Sequence, residues 1–190
     1  MPEIYLIRHG ETAWSKTGQH TGLTDIALSA EGEKQAETLA RRIAHLQFDQ
    51  VLCSPLIRAQ KTCELSGQFD SAQILPDLVE WNYGNYEGMT GLEIRKQNPN
   101  WLIFNDGAPN GESTSDVEAR AKRVLGPLKQ GNKTIAIFSS GHILRSLAAI
   151  WLGLPVSYGK YLLLSTASIS ILGYERKTPV IKLWNDIQGR

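Results

Sequence analysis

Cysteine is scarce in this chain: Cys53 and Cys63 are the whole complement. Two thiols cannot build the dense disulfide framework of a small secreted fold. They are expected as reduced, buried side chains of a cytoplasmic protein. An excess of one charge is also missing. Twenty Lys and Arg face nineteen Asp and Glu, for a net charge of +1. That balance offers no bulk field for nucleic acid or lipid headgroups, so neither is an expected partner. No apolar run approaches the roughly 20 residues of a membrane-spanning helix. Met1-Pro2-Glu3 lacks the basic start of a signal peptide. The four histidines and the acids show no His-x-x-x-His pattern, and the cysteines are not closely paired. No metal site is therefore expected. Walker-type glycine loops, internal repeats and low-complexity stretches are absent as well, and no cofactor is expected.

What is present suits one domain over residues 1–190, with an apolar fraction of 42%. Residues 4–7 read as a buried strand. Ser29 can cap a helix over 30–45, with Ala36, Leu39, Ala40 and Ile43 on one face. A strand over 50–53 follows. Ser54-Pro55 then reads as the start of a helix that runs to about 66 and ends at Gly67. Residues 73–75 could be a short strand. From 78 to 111 Gly, Asn, Pro and aromatic residues dominate, with one helix near 92–98. A long irregular stretch of this kind is often functional, and about 80–112 is expected to act as a lid. Ser115 with Glu118 reads as a capping box for a helix carrying Val117, Ala121, Val124, Leu125 and Leu128. A strand over 133–138, a helix over 143–151 and closing strands over 167–172 and 180–184 complete the chain. The alternation implies an α/β domain with a largely parallel sheet and a mixed edge.

Two short segments carry the chemistry. Arg8-His9-Gly10-Glu11-Thr12 follows the apolar run Ile4-Tyr5-Leu6-Ile7. Gly141-His142 comes soon after Ile135-Ala136-Ile137-Phe138. Each histidine stands just past a strand end, where open α/β sheets bind ligands. An imidazole, with an ordinary pKa of about 6.5, is unprotonated yet nucleophilic at neutral pH. An arginine stays charged and pairs with phosphate oxygens through its planar fork. His9 is therefore the candidate nucleophile and Arg8 a candidate phosphate ligand. The competing reading is a histidine that only ends a strand. It is weakened by Arg8 beside it and by the motifs downstream.

Those motifs are Ser54-Pro55-Leu56-Ile57-Arg58-Ala59, Leu78-Val79-Glu80-Trp81, Gly111-Glu112-Ser113 and Gly141-His142. In this order, after Arg-His-Gly-Glu-Thr, the chain resembles the histidine phosphatase superfamily, which includes the cofactor-dependent phosphoglycerate mutases. The likeness spans nearly the whole chain. It implies a three-layer α/β/α sandwich around a mostly parallel mixed sheet. It also implies a phosphohistidine at His9, with Arg8, Arg58 and His142 holding the phosphoryl oxygens. Glu80 would protonate the leaving alkoxide and then activate water, one carboxyl group serving both steps. Glu11 competes for that role by sequence proximity. Glu87 and Glu112 read as structural. Ser15, Thr21 and Gly22 stand at family spacing for substrate binding, and His20 could touch substrate. His45 reads as an exposed helix-end residue. Arg41, Arg42, Arg120, Arg123 and Arg145 read mainly as surface, Arg145 least securely.

Within the family, mutases usually carry Asn where this chain has Ser15, and another Asn is replaced by Gly18. Mutases are also longer around the site mouth. Three runs resemble the phosphatase branch that includes the histidine-phosphatase type of sedoheptulose-1,7-bisphosphatase. They are Trp14 to Asp25, Glu80 to Gly88 and Ala148 to Leu154. That branch carries added arginines where this chain has Leu56 and Gln60, so a sugar monophosphate is as plausible a substrate as a bisphosphate. The resemblance thus implies a phosphomonoester hydrolase for a small phosphorylated metabolite. A phosphoglycerate mutase-type phosphotransferase is the alternative, and a catalytically silent binding protein is the third reading.

Overall fold

Side chains alternate across the first strand, β1 (Glu3–Arg8). Ile4 and Leu6 pack into one apolar cluster, Tyr5 and Ile7 into another on the opposite face. A strand buried on both faces must be covered by two layers, and the sequence supplies them. The structure, a computed structural model, describes residues 1–188. After β1 come α1 (Ala13–Thr17), α2 (Ala30–Ile43), β2 (Gln50–Cys53), α3 (Ile57–Leu65) and β3 (Ala72–Ile74). Then follow α4 (Gly91–Gln97), α5 (Ile103–Asp106), α6 (Thr114–Leu128), β4 (Thr134–Ser139) and α7 (Gly141–Trp151). A 3₁₀ segment at Val156–Tyr161 leads to β5 (Ile169–Glu175) and β6 (Thr178–Asp186).

The six strands form one sheet in the order β3-β2-β4-β1-β5-β6. β1, β2, β3 and β4 are parallel, whereas β5 runs against β1 and β6 against β5. Helices α2 and α3 cover the face of Tyr5, Val51 and Phe138. Helices α6 and α7 cover the face of Ile4, Leu52 and Ile137. This is the expected three-layer α/β/α arrangement with a mixed edge. Among the described residues, no helix is long and apolar enough to cross a membrane.

Several boundaries differ from expectation for local reasons. Helix α3 starts at Ile57, not at Pro55. Ser54 N–H still bonds Phe138 O at 3.0 Å, which keeps Ser54 in the strand's extended path. Leu56 cannot cap, and Asp25 from the preceding loop accepts from Ile57 N at 2.8 Å instead. The capping box of α6 is Ser113 with Asp116, two residues ahead of Ser115 and Glu118. Between 78 and 112 the chain is neither featureless nor loose. It follows the single turn Pro76–Leu78 and holds α4, α5 and the single turn Gly84–Tyr86. Trp81, Tyr83, Ile94, Trp101, Ile103 and Phe104 are buried in the main core. Helix α5 is too short to show a periodicity.

Candidate active site

Because β1 and β4 are parallel neighbours with Arg8 opposite Ser139, the residues after them emerge side by side at the carboxyl edge of the sheet. His9 is sewn in on both sides: its N–H donates to Ser139 O at 2.9 Å, and its carbonyl accepts from Ala167 N at 3.0 Å. The ring is buried, and Nδ1 lies 2.7 Å from Gly10 O. A carbonyl only accepts, so Nδ1 carries the hydrogen and Nε2 keeps a lone pair. Burial, then the charges of Arg8 and Arg58, push the His9 pKa well below the ordinary imidazole value. The ring is therefore neutral at pH 7. Gly10 is needed for close approach: a Cβ there would sit 2.2 Å from Gly32 O, at the start of α2.

His142 is the second residue of α7. The helix has Ser140 at its N-cap, but that side chain makes no capping bond. The carboxylate of Glu80 caps from a distant segment. Oε2 accepts from His142 N at 2.8 Å, and Oε1 accepts from Ile143 N at 2.8 Å and from its own neighbour Trp81 N at 2.8 Å. Negative charge at a helix N-terminus is favourable there. A carboxylate offers about four lone-pair positions, so the open one is on Oε2. Tyr83 Oη contacts His142 Nδ1. Burial, then Glu80, hold the Tyr83 phenol well above its ordinary pKa, so it stays protonated and donates. Burial, then the charge of Arg145, hold the His142 ring well below its usual value. His142 is thus neutral, accepts at Nδ1 and presents an N–H at Nε2.

These groups share one cleft of about 180 Å³, walled by Arg8, His9, His20, Glu80, Tyr83 and His142 among others. Arg8 is steered by its Nη1 bond to Leu164 O at 2.5 Å. Ser15 and Thr21 also line the cleft. The Ser15 hydroxyl is engaged in the α1 capping box, donating to Thr12 O at 3.0 Å and accepting from Thr12 N at 2.8 Å. Arg58 and Gly22 lie behind the wall, not on it. Arg58 is fully buried and spends its fork on Ser140 Oγ and the carbonyls of Thr24, Thr21 and Gly22, at 2.8–3.3 Å. It fastens the 21–24 loop and lends its charge to His9. Gly22 N–H donates to Glu87 Oε1 at 2.7 Å, so Glu87 is a strut of the same loop. Glu11 is likewise occupied, its carboxylate accepting from Ser29 Oγ at 2.8 Å.

Three arginines read as surface are not. Arg145 lines the cleft, donates to Gly159 O at 2.9 Å and lies over the Phe104 ring at 4.5 Å. Burial lowers its pKa to about 10, which still leaves it charged. The signal was available: residues three apart on a helix share a face, so Arg145 follows His142 into the site. Arg120 is buried and bonds Glu112 twice, at 3.0 and 2.8 Å. It also donates to the carbonyls of Asp77, Val79 and Glu80. Arg42 is half-buried against Asp186 at 2.7 Å. Tyr83 was missed outright, because a tyrosine in an aromatic-rich stretch has no sequence mark of its own.

A family model of the histidine phosphatase superfamily, branch 1, matches residues 4–187. The chain is 38% identical over 176 residues to an acid phosphatase of Mycobacterium tuberculosis, covering 90% of this chain and 86% of the relative. It is 36% identical over 188 residues to sedoheptulose 1,7-bisphosphatase of Saccharomyces cerevisiae, covering 82% and 69%. The solved structure of an open reading frame product from Mycobacterium tuberculosis superposes with a TM-score of 0.91 at 35% identity, covering 96% of both chains. A family model that spans residues 4–187, relatives at 36–38% identity over most of the chain and a superposition over 96% of it leave one conclusion: this chain belongs to the histidine phosphatase superfamily.

Proposed function

We propose that this phosphatase hydrolyses a small phosphorylated metabolite, a sugar phosphate or a similar monoester, through a phosphohistidine on His9. The carrying observation is the tautomer of His9. Its Nδ1–H is tied to Gly10 O, which leaves the Nε2 lone pair in a cleft shared with Arg8 and His142. In the first step this lone pair attacks phosphorus and the ester P–O bond breaks. Charge on the transferring oxygens meets Arg8, Arg145 and the Nε2–H of His142, so catalysis rests on positioning and electrostatics. The leaving alkoxide takes a proton from Glu80, whose Oε2 has the open position. In the second step water attacks phosphorus, Glu80 takes its proton, and the P–N bond breaks to return His9 and free phosphate. No step requires a metal, and activity is expected to persist in excess chelator.

Rapid quench with ³²P-labelled substrate tests the reading. An acid-labile, base-stable phosphoenzyme is expected, absent in His9→Ala. That variant should lose turnover on the order of 10⁴–10⁶-fold, the scale seen when a nucleophile is removed. A phosphoserine adduct, or a fully active His9→Ala, would overturn the mechanism.

A further inference from the structure

His20 lines the same cleft, yet no step above uses it. Its backbone is stitched to the opposite wall: His20 N–H donates to Met89 O at 2.9 Å, and Gly88 N–H donates to His20 O at 2.9 Å. The ring is wedged edge-on between Tyr83, at 4.8 Å, and Trp101, at 5.3 Å. It lies nearly parallel to the His142 ring, at 6.2 Å and 15°. Nδ1 is 2.9 Å from Met89 O, so Nδ1 carries the hydrogen. Nε2 then holds a lone pair, and it has no hydrogen-bond partner among the described residues. Burial lowers the ring's pKa, which keeps that lone pair at neutral pH.

A phosphoryl group only accepts hydrogen bonds. Arg8, Arg145 and the Nε2–H of His142 suit it, whereas an acceptor nitrogen repels it. His20 must therefore face another part of the bound ester, and that part must donate. An ammonium would donate too, but it would share the cleft with two guanidinium groups. A neutral hydroxyl has no such penalty.

We propose that His20 Nε2 accepts a hydrogen bond from a hydroxyl of the leaving group, so that the site selects esters of polyols or sugars over esters of plain alcohols. This rests on the phosphatase reading given above and narrows its substrate class.

The test compares matched esters. Wild-type kcat/KM for sn-glycerol 3-phosphate is expected to exceed that for n-propyl phosphate by about tenfold, the scale of one net hydrogen bond. 3-Aminopropyl phosphate should gain nothing over the propyl ester. In His20→Phe, which keeps an aromatic ring between Tyr83 and Trp101, the glycerol-to-propyl ratio should fall to near one. His20→Gln, which restores an acceptor, should recover part of it. A ratio does not depend on how much of a variant is folded. A wild-type ratio near one, a ratio unchanged in His20→Phe, or a preference for the amine would overturn the inference. If p-nitrophenyl phosphate is turned over without any preference for the glycerol ester, only this inference fails. If no ester is turned over, the phosphatase reading fails with it.

Discussion

The cleft has two halves built by different means. One half comes off the ends of β1 and β4, where parallel pairing sets Arg8 opposite Ser139 and backbone bonds pin His9 on both sides. The other half is the 78–112 segment, which has no strand to guide it. It delivers Glu80 and Tyr83 to the same place through side chains: Trp81 buried in the core, its indole N–H on Glu112 O at 2.9 Å, and Arg120 clasping three carbonyls. The first half is positioned by secondary structure, the second by buried Arg120 and its half-buried partner Glu112. The halves meet where Glu80 caps α7 and Tyr83 orients His142. A loop can hold a buried carboxylate as firmly as a strand end holds a histidine, provided its polar backbone is satisfied.

The sharpest way to separate the halves is Glu80→Gln. General acid–base help is worth about 10²–10⁴-fold, so phosphohistidine formation from a sugar phosphate should slow by that range. With p-nitrophenyl phosphate, whose leaving group barely needs a proton, the same single-turnover step should be affected far less. Equal losses would mean that Glu80 acts on the strand-end half, through its cap on α7, and not as a proton donor. His142 would then be the donor to test.

A smaller effect should follow from cutting the clasp. Arg120→Met leaves Glu112 without its buried partner, and breaking such a pair costs about 3 kcal/mol. Lys122→Met removes an exposed partner of Glu118 on the same helix, a pair worth well under about 1 kcal/mol. Urea denaturation should separate the two variants clearly. If Arg120→Met matched Lys122→Met, the ion pair would not be what holds the second half.

The most gradual effect concerns protons. His9 and His142 are held neutral, well below the ordinary imidazole value. Their unfolded pKa is about 6.5. Below that pH the unfolded chain takes up protons that the folded chain refuses, so stability is full above about pH 7 and falls as the pH drops. The slope is at most about 1.4 kcal/mol per pH unit for each ring. Urea midpoints between pH 5 and 7.5 would show it, and a flat profile would contradict the buried neutral rings. By the same shift the acid limb of kcat/KM should lie below pH 6.5.

The strand-end half was legible in the sequence because its chemistry is contiguous: apolar run, then Arg8-His9, and apolar run, then Gly141-His142. The sheet and most helices were legible for the same reason, through local periodicity. The other half was only partly so. Glu80 stood in a recognisable motif, but its partners lie far away in sequence and are individually ordinary. Nothing near Arg120 says that it is buried, since the carbonyls it serves belong to 77–80. Asp25 capping α3 is equally invisible. Arg58 stands in a recognisable motif, but its four bonds to the 21–24 loop and Ser140 have no mark in the sequence. Ser113 lost its cap assignment to Ser115 because two overlapping Ser-x-x-acid strings read alike, and only the path of the chain chooses between them.

The contact between Gly10 and Gly32 bears on the history open to this protein. A Cβ on Gly10 would reach to 2.2 Å from Gly32 O, and one on Gly32 to 2.0 Å from Glu11 O. Backbone meets backbone, so no neighbouring side chain can be trimmed to make room. Neither position can take a side chain without moving backbone, and changing both leaves both collisions in place. Substitutions elsewhere can remodel the walls of the cleft and redirect it to new esters. The backbone that carries His9 is thereby fixed, so on such a scaffold the walls of the cleft are freer to vary than the position of that imidazole.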